Sequence, residues 1–249
     1  MQLNFPKKEN GMYILSRDDI DCIATAILKK YYPQNLESPL PLNTIELLEE
    51  HLGLTIKRKY IGTLRSGILG LIVMNDDVEI PSYDDMYRPT VLQETYGTVL
   101  ISQHLIGRDN IPRRRYTEAH EGAHFILHSD YYNQAKTTIA KRSNNHLDYI
   151  ACRQVEIYKG PPKGDAEWME WQADSLAASL LMPKDVFYKF AKNVIRENGV
   201  SRGYLINSPY ANQRQAFEII TKIAEQFNVS YRAAQIRMLH LGLIKDNNF

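Results

Sequence analysis

Two hydrophobic rhythms alternate along this chain. From Ser16 onward, Ile20, Ile23, Ala24, Ile27, Leu28 and Tyr31 recur every three or four positions, so they share one stripe of a helix that ends before Pro33. After a linker over 34–41, a second helix is predicted for 44–52, with Gly53 as its stop. The rhythm then shortens. Residues 54–60, 68–74, 78–80 and 98–103 are apolar or β-branched runs divided by turn-forming residues, and they read as strands. Asn75-Asp76-Asp77 reads as a hairpin turn. Helical spacing returns at Tyr116, Ala119, Ala123 and Ile126 behind a start signal of Asn110 and Pro112, which predicts a helix over 112–128. Residues 129–165 are polar and include Gly160-Pro161-Pro162-Lys163-Gly164; they predict a long loop, a lid or a simple insertion, with some strand around 149–158. Beyond it, 170–183 is rich in Ala and Leu and meets Pro183, and Val186, Phe187, Phe190, Val194 and Ile195 mark a helix that Gly199 ends. Helices over 213–227 and 231–241, joined at Asn228-Val229-Ser230, resemble a helix-turn-helix. Strands grouped between helices predict an α+β fold.

A chain of 249 residues can hold one sizeable core with a small appendage. The expected division is a main domain over 1–205 and a C-terminal helical segment over 206–249. Hydrophobic content of 44% with 24% charged residues is that of an ordinary globular protein, so disorder and fibrous classes drop out. A net charge of +1 gives no push toward nucleic acid or anionic membranes. Cys22 and Cys152 lack metal-type spacing and are expected to be buried free thiols. Residues 1–17 lack the apolar core of a signal peptide, and no run approaches a membrane span, so a cytoplasmic location is expected.

The chemistry concentrates in His120-Glu121-Gly122-Ala123-His124. On a helix, residues i and i+4 share a face with Cβ atoms about 5–6 Å apart. That spacing lets two neutral imidazoles reach one Zn²⁺ at about 2.0–2.1 Å. Glu121 lies roughly 100° around the helix, near enough to take a proton from a metal-bound water. Gly122 weakens the helix by about 1 kcal/mol relative to Ala, and either admits a close neighbour or reflects drift. His128 continues the i+4 series, but eight residues of helix rise about 12 Å, too far for one ion. It is expected to cap the helix end or pack nearby. Glu170 and Asp174 offer a better completion. They lie one turn apart on an otherwise apolar helix, and buried carboxylates need partners. A metal for Glu170, and the second N–H of a metal-bound His for Asp174, would satisfy both. A solvated acidic face is the alternative.

Arg113-Arg114-Arg115-Tyr116-Thr117-Glu118-Ala119-His120-Glu121-Gly122-Ala123-His124-Phe125-Ile126-Leu127-His128 resembles the R-x-R-(F/Y)-T-x-A-H-E-x-x-H-x-x-x-H signature of ImmA/IrrE-type metallopeptidases. Residues 170–183 are similar to that family's E-x-x-A-(N/D)-x-x-A-x-x-L-L-M-P block. The resemblance implies a zincin-like zinc peptidase with His120, His124 and Glu170 on the metal and Glu121 as base. It also implies a regulatory role, since several members cleave, or trigger removal of, helix-turn-helix repressors. Gly122 departs from the larger apolar residue usual there, and the connection from His124 to Glu170 is longer than in compact members.

The expected function is therefore zinc-dependent hydrolysis of a peptide bond in a protein regulator, through water activated by Glu121. Mn²⁺ or Fe²⁺ also suits ligands of this type. Tyr116, His146 and Tyr149 have the chemistry to steady a developing oxyanion. The alternative is a non-catalytic metal-binding regulator that holds a repressor or DNA through its C-terminal helices. Arg232 and Arg237 invite the DNA reading. Against it, Ala233, Ile236, His240 and Leu243 form an expected packing face, and the segment is only modestly positive, so nucleic acid is not the favoured partner. A structural zinc module is weaker still, because three protein ligands leave an open position and give Glu121 no purpose.

Overall fold

The computed structural model describes residues 3–63, 65–139, 149–153, 162–207 and 212–246. Its architecture is α+β, and the contacts divide the chain into two compact units. Unit 1 comprises Met1–Ile20 and Asn43–Ala177; unit 2 comprises Asp21–Leu42 and Ala178–Phe249. The segment 206–249 lies in unit 2 together with 21–42 and 178–205.

Helix α1 (Arg17–Tyr31) begins where the sequence predicts. Ser16 caps it reciprocally with Asp19: the Asp19 N–H donates to Ser16 Oγ at 3.2 Å, and the Ser16 N–H donates to Asp19 Oδ2 at 2.8 Å. Its stripe of Ile20, Ile23, Ala24, Ile27 and Leu28 is buried. A short helix α2 (Thr44–Glu46) continues through a wider π turn at Leu47–His51, and Gly53 follows at φ +68°. The stop at Gly53 has its reason there, since L side chains rarely adopt that conformation.

Unit 1 holds a four-stranded sheet in the order β1-β5-β2-β6. Strands β1 (Thr55–Lys59) and β5 (Thr98–Ser102) run parallel. Strand β2 (Ile68–Val73) is antiparallel to β5 on one side and to β6 (Tyr149–Arg153) on the other. Strands β3 (Val78–Tyr83) and β4 (Pro89–Glu94) form a separate antiparallel pair. Residues 75–77 therefore do not close a hairpin as expected: they link β2 to β3, which belong to different sheets. One face of the larger sheet packs Leu71, Val73 and Leu100 against Ile61, Val78 and Ile80. The other receives α3 (Ile111–Ile139), which contacts β2, β5 and β6.

Helix α3 is longer than its sequence pattern suggests. It runs past His128 through residues expected to be loop, and Tyr132 in that extension is buried. The rest of the expected loop yields β6; residues 140–148 and 154–161 lie outside the described residues. Helix α4 (Asp165–Leu181) carries the second cluster of candidate groups.

In unit 2, α5 (Lys184–Glu197), α6 (Gln213–Phe227) and α7 (Tyr231–His240) follow the predicted boundaries closely, with short parallel strands β7 (Leu205–Asn207) and β8 (Ile244–Asp246). Asn228 turns the chain between α6 and α7 at φ +50°. The packing face of α7 is rotated from the expected one. Ala234, Arg237 and Met238 are buried; of the expected face Leu243 is buried, Ala233 and Ile236 are half-buried, and His240 is exposed. Arg237 is inside because Asp21 is there to receive it: Nη2 donates to Asp21 Oδ1 at 2.6 Å, and Ser179 Oγ donates to the same oxygen at 2.7 Å. Arg237 is thus committed to the interior and unavailable as a base-reading side chain. Cys22, expected to be buried, is exposed on α1. No helix among the described residues is long and apolar enough to cross a membrane.

Candidate metal centre

Helix α3 turns a polar stripe inward at one-turn intervals: His120, His124 and His128 are all buried, as is Glu121 beside them. On α4, Glu170 and Asp174 stand one turn apart and half-buried. The imidazole Nε2 atoms of His120 and His124 are 2.9 Å apart, and each lies 3.4 Å from a different oxygen of Glu170. His120 Nδ1 is 3.0 Å from Asp174 Oδ1. A carboxylate only accepts, so that ring nitrogen is the donor, and in the neutral ring that a metal requires Nε2 is the nitrogen left bare toward Glu170.

Two features show that this donor set suits a divalent cation. Ligands about 2.0–2.1 Å from a tetrahedral ion lie roughly 3.3 Å from one another, close to the separations here. The ligand atoms of His120, His124 and Glu170 all fall within 4.8 Å of each other. Burial works to raise the Glu170 carboxyl, and without an ion, hydrogen bonds and charge from proton-bearing imidazoles hold it well below the usual carboxylate range; a cation would supply that charge where the nitrogens are bare. Glu121 differs. Both of its oxygens are buried without a hydrogen-bond partner among the described residues, and burial pushes its carboxyl up to about 8 against the opposing influence of His120. Such an orphaned carboxylate calls for a water or cation beside it.

Strand β2 reaches this point at Gly70. A Cβ there would lie 2.5 Å from the Thr117 methyl and 2.9 Å from Glu121 Oε1, so only glycine lets the strand pass over the carboxylate. Gly122 faces the other way: a Cβ on it would lie 3.0 Å from Leu48, which favours the close-neighbour reading of that residue. Cys152 on β6 is buried, and its sulfur lies within 4.8 Å of ligand atoms of both His120 and Glu121.

His128 is not at a helix end. Its Nδ1 lies 3.0 Å from His124 Nδ1 and its Nε2 lies 3.0 Å from Gln172 Oε1. Burial, reinforced by the neighbouring His124, depresses its pKa to about 3. The three oxyanion candidates fall in different places. Tyr116 is half-buried beside the cluster: its hydroxyl lies 3.2 Å from the Asp174 carbonyl and 3.5 Å from Asp174 Oδ1, the oxygen that faces His120. Tyr149 packs with the apolar residues on the far side of the sheet. His146 lies outside the described residues.

Residues 104–239, more than half of the chain, match the IrrE N-terminal-like domain, the Peptidase_M78 family. The chain belongs to this family. As an IrrE N-terminal-like peptidase it falls in the metalloprotease class, with a metal cofactor and a protein substrate. The matched span contains His120, Glu121, His124, Glu170 and Asp174. No curated protein matches the chain.

Sequence reasoning missed Gln172, Cys152 and Gly70 in this IrrE-like centre. Gln172 carries a signal in hindsight, as a polar residue between Glu170 and Asp174 on a helix otherwise rich in Ala and Leu. Cys152 and Gly70 reach the site only through strand pairing, which no local pattern records.

Proposed function

We propose that this chain is a zincin-like, zinc-dependent endopeptidase acting on a protein regulator. The observation that carries the reading is the convergence of His120, His124 and Glu170 from two separate helices beside the orphaned carboxylate of Glu121. His120, His124 and Glu170 hold the ion, and Asp174 orients His120 through its Nδ1–H. When bound, zinc supplies a Lewis acid and a positive charge that bring water and the neighbouring carboxyl into the range for proton transfer near neutral pH.

The protein's own groups do the rest. An extended substrate pairs along β6, an end strand of its sheet among the described residues, whose Cys152 lies beside His120. Glu121 takes a proton from the attacking water on a carboxylate oxygen and returns it to the leaving amide nitrogen. Burial of Glu121 keeps bulk water from competing for that proton. The substrate class implied by the family resemblance is a helix-turn-helix repressor, in a cytoplasmic setting.

The test is Glu121→Gln in the full chain. It is expected to retain Zn²⁺ at wild-type stoichiometry and to lose cleavage of a helix-turn-helix repressor encoded by an adjacent gene by at least about 100-fold. Undiminished turnover in that variant removes Glu121 as the base. Stable binding of the repressor by zinc-loaded wild type, with no cut, would instead support a non-catalytic regulator.

A further inference from the structure

We propose that His128 is a positioning residue for the metal centre: with Gln172 and the main-chain carbonyl of Tyr13, it fixes the tautomer of His124 so that Nε2 is always the bare nitrogen. This rests on the reading of His124 as a ligand through Nε2.

One member of this chain of hydrogen bonds has an invariant role, and it orders the rest. The Tyr13 carbonyl oxygen can only accept, and the Gln172 side-chain nitrogen lies 2.8 Å from it. The amide of Gln172 is therefore oriented with its NH₂ toward Tyr13 and its oxygen toward His128. That oxygen, 3.0 Å from His128 Nε2, accepts, so His128 Nε2 carries the hydrogen. Among the described residues His128 is fully buried between an amide and another imidazole, with no carboxylate in hydrogen-bonding reach, so its ring stays neutral with one N–H and leaves Nδ1 as an acceptor. His124 Nδ1, 3.0 Å away, must donate to it. The lone pair of His124 is then on Nε2, 2.9 Å from the His120 nitrogen that Asp174 frees in the same manner. Both imidazoles thus present lone pairs to one point, each enforced by a different partner.

The anchor is itself held. Near Tyr13, Lys7 pairs with Asp130 on α3 at 2.7 Å, and Lys8 and Asn10 both bind Asp165 at the start of α4, at 2.6 and 2.7 Å. His128, Gln172 and the segment before α1 therefore form a brace between the two helices that carry the candidate ligands. His128 and Gln172 are both fully buried, so water is a poor substitute for either partner.

Full-length, metal-stripped protein tests this with Zn²⁺ as the probe. Affinity is measured by chelator competition, and imidazole tautomers by long-range proton–nitrogen NMR of the metal-free protein. His128→Phe, which keeps a ring but loses the acceptor, is expected to weaken Zn²⁺ binding about 10–100-fold. Gln172→Met, which keeps volume and leaves His128 in place, is expected to turn single His124 and His128 tautomers into mixtures and to weaken binding less. In wild type, His124 is expected as the Nδ1–H form and His128 as the Nε2–H form. The positioning role is overturned if His124 carries its hydrogen on Nε2, or if both variants bind like wild type while His124→Ala does not. If wild type binds Zn²⁺ no better than His124→Ala, the metal reading itself fails.

Discussion

At the scale of single residues, the position of Glu121 depends on an atom that is missing. Gly70 has no Cβ, and one placed there would press on both the Thr117 methyl and the Glu121 carboxylate. Gly70→Ala must push the carboxylate aside or lift β2 from α3. Overpacking of this kind costs typically about 1–3 kcal/mol. Because His120, His124 and Glu170 are not in that contact, Zn²⁺ binding should survive while kcat falls at least about 10-fold. Metal content and turnover measured on one preparation separate the two effects, and an Ala variant with full turnover would show that strand β2 does not set the carboxylate. The sequence draws attention to Gly122, inside the motif, and passes over Gly70. The reason is physical: the Gly70 contact joins a strand to a helix across the sheet, whereas motif spacing reports only neighbours along one helix.

Among elements, α3 and α7 show two ways in which hydrophobic rhythm misleads. The inward face of α3 is lined with His120, Glu121, His124 and His128, and a pattern built on apolar residues lost the helix just after them. The i, i+4 spacing of the histidines points to the cluster instead. Strand β4 left no signal because it opens on Pro89 and is largely exposed. On α7, one buried arginine turned the packing face, and its partner Asp21 is more than two hundred positions away in the chain. Removing one member of such a pair strands the other charge, so Arg237→Ala should destabilise unit 2 by about 3–5 kcal/mol. Arg237→Met with Asp21→Leu should recover most of that loss in urea unfolding, and a single variant as stable as wild type would mean the pair carries no weight. A gentler case ties the N-terminal segment to α4. Hydrogen bonds from Lys8 and Asn10 hold the Asp165 carboxyl below its ordinary 3.8. A carboxyl lowered in the folded state stabilises above the unfolded pKa, and that contribution is lost as pH falls through the folded value. Asp165→Asn should therefore lower stability at neutral pH by about 0.2–1 kcal/mol, as for an exposed pair, and flatten the acid limb below pH 4. An acid limb unchanged by the substitution would sink the assignment.

For the molecule as a whole, the proposed ligands set where metal should be felt. His120 and His124 come from α3 and Glu170 from α4, and all three belong to unit 1. An ion held by all three binds the folded chain and not the unfolded one, so it stabilises by mass action, about 4.1 kcal/mol when free Zn²⁺ is a thousand times Kd. For a protein of this length each kcal/mol moves Tm by about 2–4 °C, so saturation after chelation should raise the unfolding transition of unit 1 by about 8–16 °C. Hydrogen exchange should place the added protection on α3 and on the part of α4 before Ala178, with amides of unit 2 such as those of α6 unchanged. Glu121→Gln should show the full shift, because Glu121 is proposed to handle protons and not to hold the ion. Glu170→Gln should lose most of it, since a neutral amide is a poor ligand and leaves the two imidazoles to hold the cation alone. A Zn²⁺ shift in Glu170→Gln equal to that of wild type would take Glu170 out of the centre while leaving the paired histidines in question, and equal shifts in His124→Ala as well would take the site out of α3 altogether.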